Sequence, residues 1–213
     1  MLFKHLPVYF FIRFFVLMLT SICVILFFRR KRQHGITRSS VIVTVFIYVF
    51  IILSFYFPIE NLFIIFQTAD EAISYQSGDS VAAIAEGKQS CCAIVLENGT
   101  ISSYTHLIIP KDEDGYKLPG FSRIRMEKKS EKTDPAYTMV YHVSGSDDYY
   151  ILVNLFWNDP VRVVTDSLGY PVQIVHSKVE GYESHSYTLL SYSDGYPEDY
   201  HLWINGEEVV SFE

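Results

Sequence analysis

The chain has 213 residues, of which 17 are basic and 24 acidic, giving a net charge of −7; 49% of its residues are hydrophobic and 16% aromatic. The charge is divided unevenly. Residues 1–57 hold seven Lys or Arg and no Asp or Glu, whereas residues 58–213 hold ten basic and 24 acidic side chains, a net −14. So acidic a segment is a poor nucleic-acid partner, since phosphate neutralisation needs clustered Lys and Arg, and an anionic lipid surface repels it.

In chain order, the first predicted elements are two membrane-spanning helices, 6–28 and 40–57. These apolar runs are separated by Arg29, Arg30, Lys31 and Arg32, with Arg38 close behind. The second run is 18 residues without a charge, about 27 Å as a helix, close to the hydrocarbon thickness of a bilayer. In lipid, a lone segment satisfies its backbone groups only as a helix. Arg13 lies two turns inside the first run, close enough to its end for the guanidinium to snorkel to the interface; the other reading is a buried contact to a partner or a headgroup. Cleavage as a signal peptide is not expected, because the strongest charge follows the apolar run and no small-residue site comes after it. By the positive-inside rule the basic loop 29–39 stays in the cytoplasm, since residues 58–77 carry no Lys or Arg and hold Glu60, Asp70 and Glu71. The N-terminus and everything after residue 57 are then expected on the outer side.

Pro58 ends the second helix, and the apolar stretch 59–66 is expected at the membrane interface. Thr68 and Glu71 fit the S/T-x-x-E capping box, which predicts a short helix over 69–76 in a juxtamembrane segment 58–77. From Cys91 onward, strands and tight turns take over within a β-rich domain spanning 78–213. Strands 91–97 and 100–109 flank Asn98-Gly99, and 121–127 alternates in polarity. Strands 138–144 and 149–157 flank the turn Gly145-Ser146-Asp147-Asp148. The run 149–157 is apolar on both faces and reads as a central strand. Strands 161–165 and 172–176 flank a turn at Leu168–Pro171, and 186–192, 200–204 and 207–212 follow, the last two around Asn205-Gly206. The charged stretches 111–114 and 128–132 read as surface loops. The predicted fold is a membrane-anchored α+β protein: two N-terminal transmembrane helices, a short juxtamembrane helix, and a mainly antiparallel β domain, either a sandwich or an open barrel or meander.

The stretch from Pro58 through Phe66-Gln67-Thr68-Ala69-Asp70-Glu71 to Tyr75, followed by Glu86-Gly87-Lys88-Gln89-Ser90-Cys91, resembles a group of small, uncharacterised two-span membrane proteins of Gram-positive bacteria. The resemblance covers residues 40–120 and implies a plasma membrane and an extracytoplasmic β-rich domain. It transfers no functional residues.

Candidate chemistry is sparse. Cys91 or Cys92 with His106, His142, His176, His185 or His201 as base would suit nucleophilic catalysis, but Cys91-Cys92-Ala-Ile-Val-Leu enters a strand and fits buried thiols. Neighbouring cysteines do not bridge readily, so no disulfide is expected. The histidines occur singly, without metal-ligand spacing. Asp112-Glu113-Asp114-Gly115 matches only part of a calcium loop, and Asp147-Asp148 is explained by turn chemistry. Asn98-Gly99-Thr100 fits a glycosylation sequon, which the hairpin turn explains. Thirteen of the 16 tyrosines follow residue 58; they suit a binding face, and equally a strand core.

No catalytic, cofactor-binding or metal-ligating residue is therefore assigned, and no cofactor is expected. The sequence points first to a non-enzymatic extracytoplasmic binding or accessory module that contacts another membrane protein or an envelope component, with the lipid bilayer as its other partner. One alternative is a subunit of a membrane sensor or transporter complex, its hairpin packing on partner helices through Thr20, Ser21, Thr44 and Ser54. The other is an extracytoplasmic hydrolase with a Cys–His or metal site.

Overall fold

The computed structural model describes residues 8–31, 38–56, 58–78, 80–96, 104–119, 129–133, 136–157, 159–178 and 185–212. It is an α+β protein whose strand pairings are all antiparallel. Helices α1 (Val8–Lys31) and α2 (Arg38–Tyr56) come first. They lie against each other, with the Tyr48 hydroxyl donating to Ser21 Oγ at 3.0 Å. Large apolar side chains such as Phe14, Phe15, Phe46 and Phe50 stand exposed on their outer faces. Within α1, the 20-residue stretch Phe11–Arg30 is long and apolar enough to cross a membrane. In α2 the apolar stretch is Ser39–Ser54, roughly 24 Å, which falls short of a hydrocarbon core of about 30 Å. The expected second span is thus not supported by the described helix, whose first turn is occupied by Arg38, Ser39 and Ser40.

Pro58 opens a 3-10 helix, Ile59–Leu62. Its Glu60 is the partner of Arg13. The guanidinium donates to Glu60 Oε2 at 2.7 Å, and both side chains are largely buried. Leu62 and Phe63 beside it are 76% and 84% exposed. Helix α3 (Ala69–Ser77) follows as the capping box predicts. Thr68 accepts from the Glu71 amide, Glu71 Oε2 reaches back to the Gln67 amide, and Gly78 closes the helix at φ 70°.

Eleven strands are described: β1 (Ser80–Glu86), β2 (Ser90–Leu96), β3 (Tyr104–Pro110), β4 (Lys129–Thr133), β5 (Ala136–His142), β6 (Asp148–Trp157), β7 (Val164–Asp166), β8 (Gln173–Lys178), β9 (His185–Asp194), β10 (Tyr200–Ile204) and β11 (Glu207–Phe212). They form three sheets in the orders β1-β2-β3, β4-β5-β6-β9-β8 and β11-β10-β7. Alternation along β6 and β9 explains the stacking. Ile151, Val153, Leu155, Tyr187 and Leu189 meet Tyr200, Leu202, Ile204 and Val210 on one face. Tyr150, Leu152, Leu190 and Tyr192 meet Cys92, Ile94 and Ile108 on the other. The outer face of the β1-β2-β3 sheet, with Cys91, Ala93, Val95 and Ile109, is covered by Ala69, Ala72 and Ile73 of α3 together with Phe66. Among the described residues the domain is therefore neither a two-sheet sandwich nor a barrel but a stack of three sheets capped by α3. Two central layers account for two strands, β2 and β6, that are apolar on both faces.

Several local expectations change. β1 precedes the point where strands were expected to start; its Ala-rich sequence lacks the bulky β-branched pattern, and pairing with β2 makes it a strand. Residues 129–133, expected as loop, form the edge strand β4, where charged residues suit an edge. The segments around Leu168–Pro171 do not make a hairpin with each other: β7 pairs with β10, and β8 with β9. The β10–β11 hairpin turns at Asn205 and Gly206, both with positive φ as expected. The expected strand 121–127 and the Asn98-Gly99 turn lie outside the described residues.

Candidate functional site

The most constrained polar cluster surrounds Asp148, the first residue of β6. Its carboxylate is buried and accepts four hydrogen bonds. The donors are the amides of Lys88 (3.0 Å) and Gln89 (2.8 Å), Ser90 Oγ (2.6 Å) and the Tyr192 hydroxyl (3.0 Å). Ser90 Oγ also lies 2.8 Å from the Tyr150 hydroxyl. A buried carboxylate is tolerated where several donors converge on it. Gly87 is required for this approach, because a Cβ there would stand 2.7 Å from Asp148 Cγ and from the Tyr150 hydroxyl. The β1–β2 turn is thus tied to the middle sheet, and Lys88 forms an outer ion pair with Asp194. Burial, with the Asp148 charge beside them, raises the Tyr150 and Tyr192 hydroxyls far above the ordinary phenol range.

This tie forms one wall of an open cleft of about 630 Å³ lined by Lys88, Gln89, Pro110, Lys111, Glu113 and Ser146, among others. Three chain reversals converge there: the β1–β2 turn, the turn after β3 and the β5–β6 turn. The turn after β3 is fixed from its other side. Its Tyr116 exchanges backbone hydrogen bonds with Phe66, and Gly115 lies so close to the Phe66 carbonyl that a Cβ would come within 2.5 Å. Asp112 Oδ1 accepts from the amides of Asp114 and Gly115, so this acidic cluster is a side-chain-capped turn. The cleft therefore presents lysines and carboxylates on a rigid backbone frame. Lys111 faces Glu86 at 3.6 Å and Lys117 faces Asp112 at 3.6 Å.

Most of the residues singled out in the sequence lie elsewhere. Cys91 and Cys92 are buried on opposite faces of β2, in different cores. Burial pushes the Cys91 thiol up to about 12 and the Cys92 thiol higher still, which removes the thiolate that a nucleophile requires. His106 packs against the Tyr141 ring at a tilt, with its Nε2 buried and without a hydrogen-bond partner, and desolvation lowers its pKa. His142 stacks on Tyr149 and meets the Ser146 carbonyl; His201 pairs with Glu208. His176 and His185, nine residues apart, come within hydrogen-bond distance of each other. Among the described residues, no group of three or more His, Cys, Asp or Glu gathers in metal-binding geometry. The tyrosines turn largely inward: Tyr116, Tyr141, Tyr150, Tyr187, Tyr192 and Tyr200 are buried, while Tyr170 and Tyr196 are exposed. Sequence reasoning missed Asp148, which turn chemistry in Gly145-Ser146-Asp147-Asp148 was enough to explain. The one signal for it was the pairing of an acidic residue with the strand-starting Tyr149-Tyr150 run.

Comparison with protein-family models, curated proteins and solved structures finds no match to this chain.

Proposed function

We propose that the protein is a membrane-anchored, extracytoplasmic binding or accessory module. In this reading residues 1–57 form a two-span hairpin with the basic loop 29–39 in the cytoplasm, 58–77 lie at the outer membrane surface, and 78–213 hold the cleft outside, as in the two-span Gram-positive proteins that the chain resembles. The outward apolar faces of α1 and α2 support the anchor, and so do Leu62 and Phe63, which are strongly exposed next to the end of α2 where an aqueous surface would disfavour them. The observation that carries the binding role is the cleft itself, a polar recess whose walls are fixed by Asp148 on one side and by the Phe66–Tyr116 bridge on the other. Its mixed lysines and carboxylates suit a polar, peptide-like surface of another envelope protein. A photo-crosslinking residue at Glu113, compared with one at Glu198, tests this in native membranes. A stoichiometric partner captured from position 113 alone is expected, and capture of nothing from either position contradicts the reading.

A second reading, a subunit of a larger membrane complex, is favoured by a different observation. A mostly apolar groove of about 420 Å³ runs between α1 and α2, lined by Cys23, Val24, Phe27, Ser40, Val43 and Thr44, which suits a further helix. Of the four polar helix residues expected to assist such packing, Thr44 lines this groove while Ser21 is engaged by Tyr48 within the hairpin. Co-purification of the intact chain with other membrane-spanning subunits tests it.

A further inference from the structure

We propose that His176 and His185 form a two-imidazole chelate for a late first-row divalent cation, with copper(II) the best fit. The site is assembled by strand pairing. The antiparallel register of β8 and β9 sets His176 opposite Tyr187 and Lys178 opposite His185, so the two histidines are diagonal neighbours on one face of the sheet. Their ring nitrogens, Nε2 of His176 and Nδ1 of His185, are 2.8 Å apart. Tyr187 orients them, its ring lying 4.7 Å from that of His176 in a stacked arrangement and 6.2 Å from that of His185.

The hydrogen-bonded separation lies near what either a square-planar or a tetrahedral ion requires, so the rings need only a small shift to chelate. Bonds of about 2.0 Å place adjacent ligands of a square-planar ion roughly 2.8 Å apart, whereas a tetrahedral zinc ion needs roughly 3.3 Å. Imidazole suits copper, nickel and zinc, and the order of divalent affinities favours copper. His176 is exposed, so an ion has access, and the −14 charge of residues 58–213 concentrates cations at the surface. In the free protein one ring donates its N–H to the other. Metal entry moves that proton, through solvent, to the other nitrogen of the same ring, so both imidazoles bind neutral and no net proton is released. With no third protein ligand among the described residues, the remaining coordination positions go to water.

The test is copper(II) titration of the full chain in detergent micelles against a competing chelator, with electron paramagnetic resonance as a second readout. One equivalent bound with two-nitrogen hyperfine coupling is expected. His176→Ala and His185→Ala are each expected to lower affinity at least about tenfold, no less than loss of an outer-shell partner costs. The double variant is expected to be no weaker than either single one. His176→Gln keeps a hydrogen bond to His185 and the fold but is expected to lose the chelate, and His201→Ala is expected to bind as the unsubstituted chain does. Affinity unchanged by the single substitutions, or losses that merely add, would overturn the proposal in favour of independent surface histidines.

Discussion

Ser90 Oγ lies 2.6 Å from Asp148 Oδ2, although the two residues are 58 positions apart and belong to different sheets. This contact, with the two backbone amides beside it, fastens the outer sheet to the middle one at the rim of the cleft. Asp148→Ala leaves the Lys88 and Gln89 amides and the hydroxyls of Ser90 and Tyr192 without their acceptor. A loss of roughly 3 kcal/mol or more is expected in urea unfolding of the full chain. A loss below about 1 kcal/mol would show that the cluster does not hold the sheets together.

Gly87→Ala pushes a methyl group into that cluster and is expected to cost about 1–3 kcal/mol. The overlap is with Asp148 and Tyr150, so the two effects are not independent. In the Asp148→Ala background the same substitution is expected to cost clearly less, and a double-mutant cycle reads the difference.

Much of this architecture is legible in the sequence, and the gaps have physical causes. The α3 cap, the Asn205-Gly206 turn and the central position of β6 depend on residues near one another in the chain, and each appears as expected. The third sheet does not announce itself, because a strand apolar on both faces shows that it is covered twice but not by what. Charged β4 and Ala-rich β1 are strands only by virtue of their partners. Asp148, Arg13 and the His176–His185 pair were opaque for one shared reason. Each is defined by a contact partner, Ser90, Glu60 or the facing histidine, that local pattern does not specify.

The buried Arg13–Glu60 pair joins α1 to the segment that leads into the β domain. Removing one partner leaves a buried charge uncompensated, so Arg13→Ala and Glu60→Ala are each expected to destabilise by about 3–5 kcal/mol. Arg13→Met combined with Glu60→Leu is expected to recover most of that loss. Thermal unfolding in detergent micelles checks this, and a double variant as unstable as the sum of the single ones would contradict it.

Stability is expected to fall at both ends of the pH range. Burial holds the His106 pKa below its ordinary 6.5, so the folded state favours the neutral ring. That contribution is present above pH 6.5 and lost as pH falls below it, and His106→Phe is expected to flatten the acid limb. The Cys91 thiol is raised from 9.0 to about 12, so its contribution is present below pH 9 and lost between pH 9 and 12. Cys91→Ala is expected to make the alkaline limb shallower in urea titrations across that window.

The proposed placement of the cleft outside the cell, on a membrane hairpin, is tested most directly by topology. Single cysteines at Glu113, on the exposed cleft rim, and at Gln33, in the basic loop, are to be labelled in intact cells with a membrane-impermeant maleimide. The chain carrying only its native cysteines serves as background: Cys91 and Cys92 are buried, and the signal from Cys23, exposed on α1, is subtracted. The account predicts labelling at position 113 in intact cells and at position 33 only after the membrane is permeabilised. Labelling at 33 with protection at 113, or no dependence on permeabilisation at either position, would contradict it.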